Sequence, residues 1–298
     1  MEHTIFGCGY LGRRVANNWH SRGDSVHAVT RSASQAKVFV SNGWSPIVAD
    51  ITDPKTLRDL PRTSTVLFAV GFDRNSGCSI EDVYVTGLNN VLSALDTAAI
   101  ERFIYISSTG VYGQGDGAWV DEDSPCEPTR DGGKACLAAE QLLLESPIRS
   151  KCVILRLAGI YGPDRIPRKR DLEKKEPMPV SNGYLNLIHV DDAADIVILA
   201  ERYSPNSTQL PATFVVADGC PVKRCDYYDE LARLLKIEPP TYCDPESSNQ
   251  PVKARRLGSK RLRAERLMRE LKPSLNYPSY REGLASSLGV VDAKSGES

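Results

Sequence analysis

Three observations predict an α/β fold in which a doubly wound parallel sheet is followed by a smaller C-terminal region. Short apolar runs alternate with helical patterns over the first two-thirds of the chain. Those runs are near-continuously apolar, as strands covered on both faces must be. The first of them leads directly into a glycine-rich turn, "TIFGCGYLGRRVA".

In chain order, the strand candidates are "HTIFG" (3–7), "SVHAVTR" (25–31), "SPIVAD" (45–50), "STVLFAVGF" (64–72), "RFIYISST" (102–109) and "KCVILRLAG" (151–159). A later run, "ATFVVADG" (212–219), extends the set. Between them, residues 11–22 place Leu11, Val15 and Trp19 four apart, and residues 80–99 repeat the pattern with Val83, Leu88, Val91, Leu92 and Leu95. In "PTRDGGKACLAAEQLL" (128–143) the helical period is clear, with Leu137, Gln141 and Leu144 sharing a face, but Asp131, two glycines and Lys134 precede it. After Gly162-Pro163 the charged stretch 164–179 lacks an apolar face and reads as a loop or mobile lid. Residues 222–237 read as a helix, 255–273 as a basic helix or a helix pair broken near Gly258, and 290–298 as a frayed tail.

The bulk numbers narrow the function. A net charge of −1 over 298 residues gives no global field toward nucleic acid or anionic lipid. No apolar run approaches the ~18 residues of a membrane span, and "MEHTIFGCGYLG" is not a signal peptide. The eight cysteines are scattered without a Cys-x-x-Cys pair, so the expectation is reduced thiols in a cytoplasmic protein with no metal site. The expected partner is a small molecule, with a homodimer left open.

Gly7, Gly9 and Gly12 form G-x-G-x-x-G between an apolar strand and an amphipathic helix, the context that makes the pattern a dinucleotide cradle. Gly7 permits the tight turn, Gly9 lets a pyrophosphate approach the backbone, and Gly12 permits helix–strand packing. Tyr10 and Leu11 lie on the turn, where the helix N-terminus faces the anion. At the end of the second strand, where an NAD-preferring site has Asp or Glu, the sequence reads Thr30, Arg31, Ser32. Arg31 can pair with a 2′-phosphate and Ser32 can donate to it, so NADP is favoured over NAD. Asp50 and Ile51 are placed to meet an adenine ring, and Ala69, Val70 and Gly71 to pass near the ribose.

With the glycine turn, the strings "YISSTGVYG" (105–113), "RLAGIYGP" (156–163) and "NLIHVDDAA" (186–194) resemble, in order and interval, the extended short-chain dehydrogenase/reductases, the NAD-dependent epimerase/dehydratase superfamily. The resemblance spans residues 3–219 and implies a Rossmann domain over 1–162, completed by 186–217. It also implies a substrate-side region over 163–298, made of 163–185 and 218–298, and often a nucleotide-sugar substrate. Ser108 falls where the family keeps its catalytic Ser or Thr, with Thr109 the second candidate. Leu157, Ala158, Gly159 and Ile160 would lie along the nicotinamide. Asn186 and His189 belong to the string that bridges the two regions, His189 as a structural hydrogen-bonder. Asp191 and Asp192 fit the cap and first turn of the following helix.

The family's Tyr-x-x-x-Lys pair is absent. Anchoring on "LAAE" (137–140) puts Gly132 in the tyrosine place and Cys136 in the lysine place, and 113–160 contains no tyrosine. Tyr84 also stands where many members have Asn, and the glycine turn is one residue shorter than usual. These departures resemble an atypical branch. They leave two functions in competition: an NADP(H)-dependent oxidoreductase or epimerase, with Tyr112, Tyr161 or Lys134 replacing the proton donor, and a non-catalytic cofactor-binding sensor.

Overall fold

The computed structural model describes residues 1–179, 183–204, 211–243 and 259–290. Seven strands form one parallel sheet: β1 (Glu2–Phe6), β2 (Ser25–Thr30), β3 (Ser45–Val48), β4 (Thr65–Phe68), β5 (Arg102–Ser108), β7 (Cys152–Leu157) and β12 (Ala212–Val216). Their order is β12-β7-β5-β4-β1-β2-β3, so the chain reverses direction across the sheet between β1 and β4. Such a switch point opens a crevice beyond the carboxyl ends of the strands. Register is tight across it, with Ile5 beside Leu67 and Phe6 beside Phe68.

The near-continuous apolar runs fill two cores because successive side chains point to opposite faces. Ile5, Leu67, Ile104 and Leu155 pack on one side with helices α1 (Gly12–Ser21) and α6 (Val190–Glu201). Phe6, Phe68, Phe103 and Ile154 pack on the other with α3 (Gly87–Ala94) and α4 (Asp131–Glu145). Trp19 is fully buried on α1, stacks on His3 at 4.3 Å and donates its indole N–H to Glu201 on α6 at 3.0 Å. Burying such a side chain contributes roughly 2–3 kcal/mol.

Helix α2 (Ala33–Ser41), capped by the Ser32 hydroxyl, covers the β2–β3 connection, which the sequence reading leaves without an element. The helix predicted over 80–99 divides into a π turn, Asp82–Thr86, and α3. Such wide turns re-aim side chains, and this one carries Tyr84, whose hydroxyl accepts from Phe72 N–H at 3.2 Å.

The remaining elements are short. Strand β6 (Trp119–Val120) pairs with β15 (Arg261–Leu262), and β8 (Gly159–Tyr161) pairs with β11 (Leu187–His189). Beside them lie β9 (Met178–Pro179) with β14 (Tyr242–Cys243), and β10 (Tyr184–Leu185) with β13 (Val222–Lys223). Helices α5 (Lys169–Glu173), α7 (Arg224–Leu235) and α9 (Tyr280–Ser287) surround a third core of Tyr161, Leu172, Tyr227, Leu231 and Leu284. Helix α8 (Glu265–Glu270) lies against β12.

Two expectations are corrected here. The stretch 164–179 is not a bare loop: it contains α5 and β9, and Leu172 and Met178 anchor it in the third core. Helix does not run over 259–273 either. Residues 261–263 extend along β6, with Arg261 N–H donating to Ala118 and Arg263 N–H to Val120, and α8 begins only at Glu265. Tertiary strand pairing overrides the local helical pattern there. Residues 255–258 of that predicted helix, and 291–298 of the predicted tail, lie outside the described residues.

Candidate active site

The glycine turn leaves β1 and meets the end of β4 at the switch point. Gly7 has φ +88°, and a Cβ there would collide with the Ala69 carbonyl. Gly9 donates to the Gly7 carbonyl at 2.8 Å, and the space where its Cβ would stand is open to 4 Å. That open face is where an anion can reach the backbone. It forms the floor of a cleft of about 780 Å³ lined by Gly7, Gly9, Tyr10 and Leu11 and by the ends of the neighbouring strands. Thr30 and Arg31, Asp50 and Ile51, Ala69 to Gly71, and Leu157 to Ile160 all line it, as the sequence positions them. Gly12 does not; it packs on the Gly7 carbonyl and Ile5, its predicted part.

Ser32 departs from expectation. It is not on the cleft wall, and its hydroxyl accepts from Gln35 N–H at 3.3 Å and bonds Ser34 Oγ at 2.8 Å. Helix capping has taken the group that was to meet a 2′-phosphate. Arg13, missed from sequence, takes its place on the cleft wall and donates to Gln35 at 2.8 Å. Its signal was available as the basic residue directly after the third glycine. Arg31 is half-exposed, 3.9 Å from Asp73. Tyr10 donates its hydroxyl to the Pro163 carbonyl at 2.8 Å, with Arg14 4.5 Å and Arg165 5.5 Å from its ring centre.

A second cavity, about 1380 Å³, opens beside the first. The two share Tyr84, Ser108, Thr109, Cys136 and Gly159. Ser108 ends β5, half-buried, and its Oγ accepts from Gly110 N–H at 3.0 Å. The glycine pair opening α4 explains itself here. A Cβ on Gly133 would strike the Gly110 carbonyl, so only glycine lets the helix pack against the turn after Ser108. Gly132 faces the second cavity with a Cβ's worth of room, 3.5 Å from Ile80. Cys136 is buried beside Tyr105, and burial pushes its thiol up to about 11.

The three expected proton donors lie in different environments. Lys134 is exposed on the second cavity. Tyr112 lines the same cavity but is buried, accepts from Arg156 at 2.8 Å and has its pKa pushed up, chiefly by burial. Tyr161 lies on neither cavity; fully buried in the third core, it donates to the Ser279 carbonyl at 3.4 Å. That packing corrects its assignment as a proton donor, because its hydroxyl faces protein and burial raises its pKa strongly.

Asn186 lines the second cavity and brackets the β15 segment, donating to the Lys260 carbonyl at 2.9 Å and accepting from Leu262 N–H at 2.8 Å. His189 is the N-cap of α6: buried, it accepts from Asp191 N–H at 3.3 Å and bonds Ser287 Oγ at 3.3 Å. Asp191 and Asp192 occupy the first turn, not the cap. Beneath the wall lies a buried network. Arg156 bonds both oxygens of Glu140 and the Tyr112 hydroxyl, and Ser107 donates to Glu140 at 2.5 Å. Among the described residues no His, Cys, Asp and Glu group suits a metal ion, and no helix is long and apolar enough to cross a membrane.

A glycine-turn cleft at the switch point of a seven-stranded parallel sheet, adjoining a polar chamber across a serine, defines a dinucleotide-dependent enzyme class. The chain belongs to the NAD-dependent epimerase/dehydratase family, whose model matches residues 4–217. It is 28% identical over 249 residues to Protein YeeZ of Escherichia coli, covering 80% of this chain and 85% of that protein. It is also 28% identical over 288 residues to a 4-hydroxy-2-methyl-3-oxo-4-farnesyl-3,4-dihydroquinoline-1-oxide ketoreductase of Stigmatella aurantiaca, covering 92% and 83%. A solved structure described as a putative NAD-dependent epimerase/dehydratase of Methylobacillus flagellatus is 32% identical, with a TM-score of 0.77 over 97% of each chain. The protein is accordingly an NAD(P)-dependent enzyme of the oxidoreductase/epimerase type.

The cleft fits the dinucleotide: Gly9 leaves a cradle that any larger residue would fill, and the α1 N-terminus opens on it. Gly7 to Leu11 would hold the pyrophosphate, Asp50 and Ile51 the adenine end, and Leu157 to Ile160 the nicotinamide end.

Proposed function

We propose that this protein is an NADP(H)-dependent oxidoreductase acting on a hydroxyl or carbonyl of a small polar substrate. The carrying observation is the shared wall: Ser108 and Thr109 border both the glycine-turn cleft and the polar chamber. A substrate oxygen in the chamber can therefore bond a hydroxyl while its carbon faces the nicotinamide end. When bound, the nicotinamide supplies or accepts hydride. Ser108 and Thr109 orient the reacting oxygen. The preference for NADP rests on Arg31 and Arg13, which line the cleft where an NAD site would present a carboxylate. Arg74, Lys134 and Lys260 line the chamber, which makes an anionic compound such as a nucleotide sugar the first substrate class to test.

The test is NADPH oxidation by the intact protein with a panel of sugar nucleotides, aldehydes and ketones. Ser108→Ala is expected to lower turnover by at least about 100-fold with NADP(H) affinity nearly intact. Unchanged turnover removes Ser108 from the mechanism. The missing Tyr-x-x-x-Lys pair favours one competing reading, a cofactor-binding sensor, and a protein that binds NADPH but consumes none with any panel compound supports it.

A further inference from the structure

The segment 259–263 is held by hydrogen bonds from both sides. Gly117 N–H donates to the Ser259 carbonyl at 2.8 Å, Tyr184 N–H to Ser259 Oγ at 3.2 Å, and Arg261 and Arg263 N–H to Ala118 and Val120. Asn186 grips both the Lys260 carbonyl and the Leu262 N–H. Alternation along an extended strand then sorts the side chains. Arg261 turns to the aromatic rings of Trp119 and Tyr184, 4.7 and 5.1 Å from their centres. Lys260 turns to the chamber, its ammonium donating to the Tyr112 carbonyl at 2.8 Å and lying 5.9 Å from the Tyr112 ring.

We propose that Lys260 is the proton donor at the substrate oxygen, standing in for the tyrosine that this chain lacks. The inference rests on the oxidoreductase reading above. It draws on three facts of placement: Lys260 and Ser108 line one chamber, the Lys260 backbone is fixed on both sides, and the tyrosine place is Gly132. In reduction the substrate carbon accepts hydride from the reduced nicotinamide, the carbonyl π pair moves onto oxygen, and an N–H bond of Lys260 breaks as the O–H bond forms. The neutral amine regains its proton from water in the open chamber. In oxidation each transfer reverses.

The surroundings suit an ammonium that gives up its proton near neutrality. Burial, with the Arg130 guanidinium adding to it, brings Lys260 down to about 8, opposed by Cys126. Arg74 and Glu81 face the chamber from the π-turn side, Asp131 and Lys134 from α4, and Arg224 from α7. Tyr112 and the Arg156 bonded to it lie beneath. The ordinary identity of a lysine as a surface charge hid this residue from sequence reading, and "GSKRLR" carries no signal that separates Lys260 from its basic neighbours.

The first test needs no turnover. Reductive alkylation of the intact protein with glyceraldehyde and cyanoborohydride at neutral pH, read by peptide mass spectrometry, should modify Lys260 at least about tenfold faster than the typical exposed lysine. A pKa near 8 leaves it on the order of a hundredfold more neutral amine. Labelling at or below the typical rate overturns the proposal. In the NADPH assay, Lys260→Met should lower kcat/KM by about 100-fold or more while NADP(H) affinity stays within about twofold. Lys260→Arg, which keeps the charge but does not titrate near neutrality, should fail to restore it, and the loss of wild-type rate above about pH 8 should vanish in both variants. Either variant turning over like the wild type overturns the proposal. Wild-type protein that binds no NADP(H) instead overturns the oxidoreductase reading itself.

Discussion

The dinucleotide cleft and the chamber beside it open on the same sheet edge, yet they are built by different means. The cleft is mostly backbone: a glycine turn, an open helix end and the last residues of parallel strands, each set by the conformation of its own short segment. The chamber is mostly side chains brought from afar, with Ser108, Lys134, Asn186 and Lys260 coming from four separate segments. Backbone sites need particular local conformations, so they leave local marks. Side-chain sites need only that distant segments meet, and a sequence does not show the meeting.

Four substitutions test this contrast, in descending order of effect. The chamber wall stands on the Arg156–Glu140 pair, which is buried and bonded also to Ser107 and Tyr112. Arg156→Met strands the Glu140 carboxylate, and the expected loss is about 3–5 kcal/mol in urea unfolding. A loss below about 1 kcal/mol would mean that the network does not support the chamber. In the cleft, Gly7→Ala drives a Cβ into the Ala69 carbonyl. It should weaken NADP(H) binding by about 100-fold, roughly 2.7 kcal/mol by titration, whereas an intact affinity would detach the turn from the cofactor.

Asp218, just past β12, tests the boundary between sheet and third core. Its Oδ1 accepts from Cys220 N–H at 2.9 Å, its Oδ2 is buried with no partner among the described residues, and burial raises its pKa to about 7. A raised carboxylate pKa contributes stability that is present below the ordinary value near 3.8 and is lost as pH rises to about 7. Asp218→Asn should therefore gain stability relative to wild type across that window and level off above it, by on the order of 2 kcal/mol, about half of the roughly 4 kcal/mol carried by the rise from 3.8 to about 7, because the buried amide has a polar group of its own to satisfy. A gain independent of pH would show that the carboxylate is not carrying the cost. Smallest of the four is Arg31→Ala, for which about a tenfold loss of NADPH affinity with little change for NADH is expected. Equal losses for both cofactors would remove Arg31 from discrimination and leave Arg13 as the candidate.

Much of the cleft was legible because its residues sit at fixed offsets from strand ends: Gly7, Arg31, Asp50, Ala69 and Leu157 all fall where the pattern puts them. Ser32 misled because a serine before a helix serves two purposes equally well, and α2 used it as a cap. Tyr161 misled because its position after a strand says where the backbone goes, not which core the ring enters. The helix expected over 255–273 misled within its described part because a local helical pattern cannot compete with a strand partner far back in the chain, Trp119 beside Arg261.

The sequence alone determined the parallel sheet, the glycine turn and the absence of the Tyr-x-x-x-Lys pair, because apolar period and glycine placement act over a few residues. Which distant side chains meet in the chamber was settled by packing across the fold. The pairing of β15 with β6 sets Lys260 in the chamber, and a contact made across the fold is fixed by packing that no local pattern records.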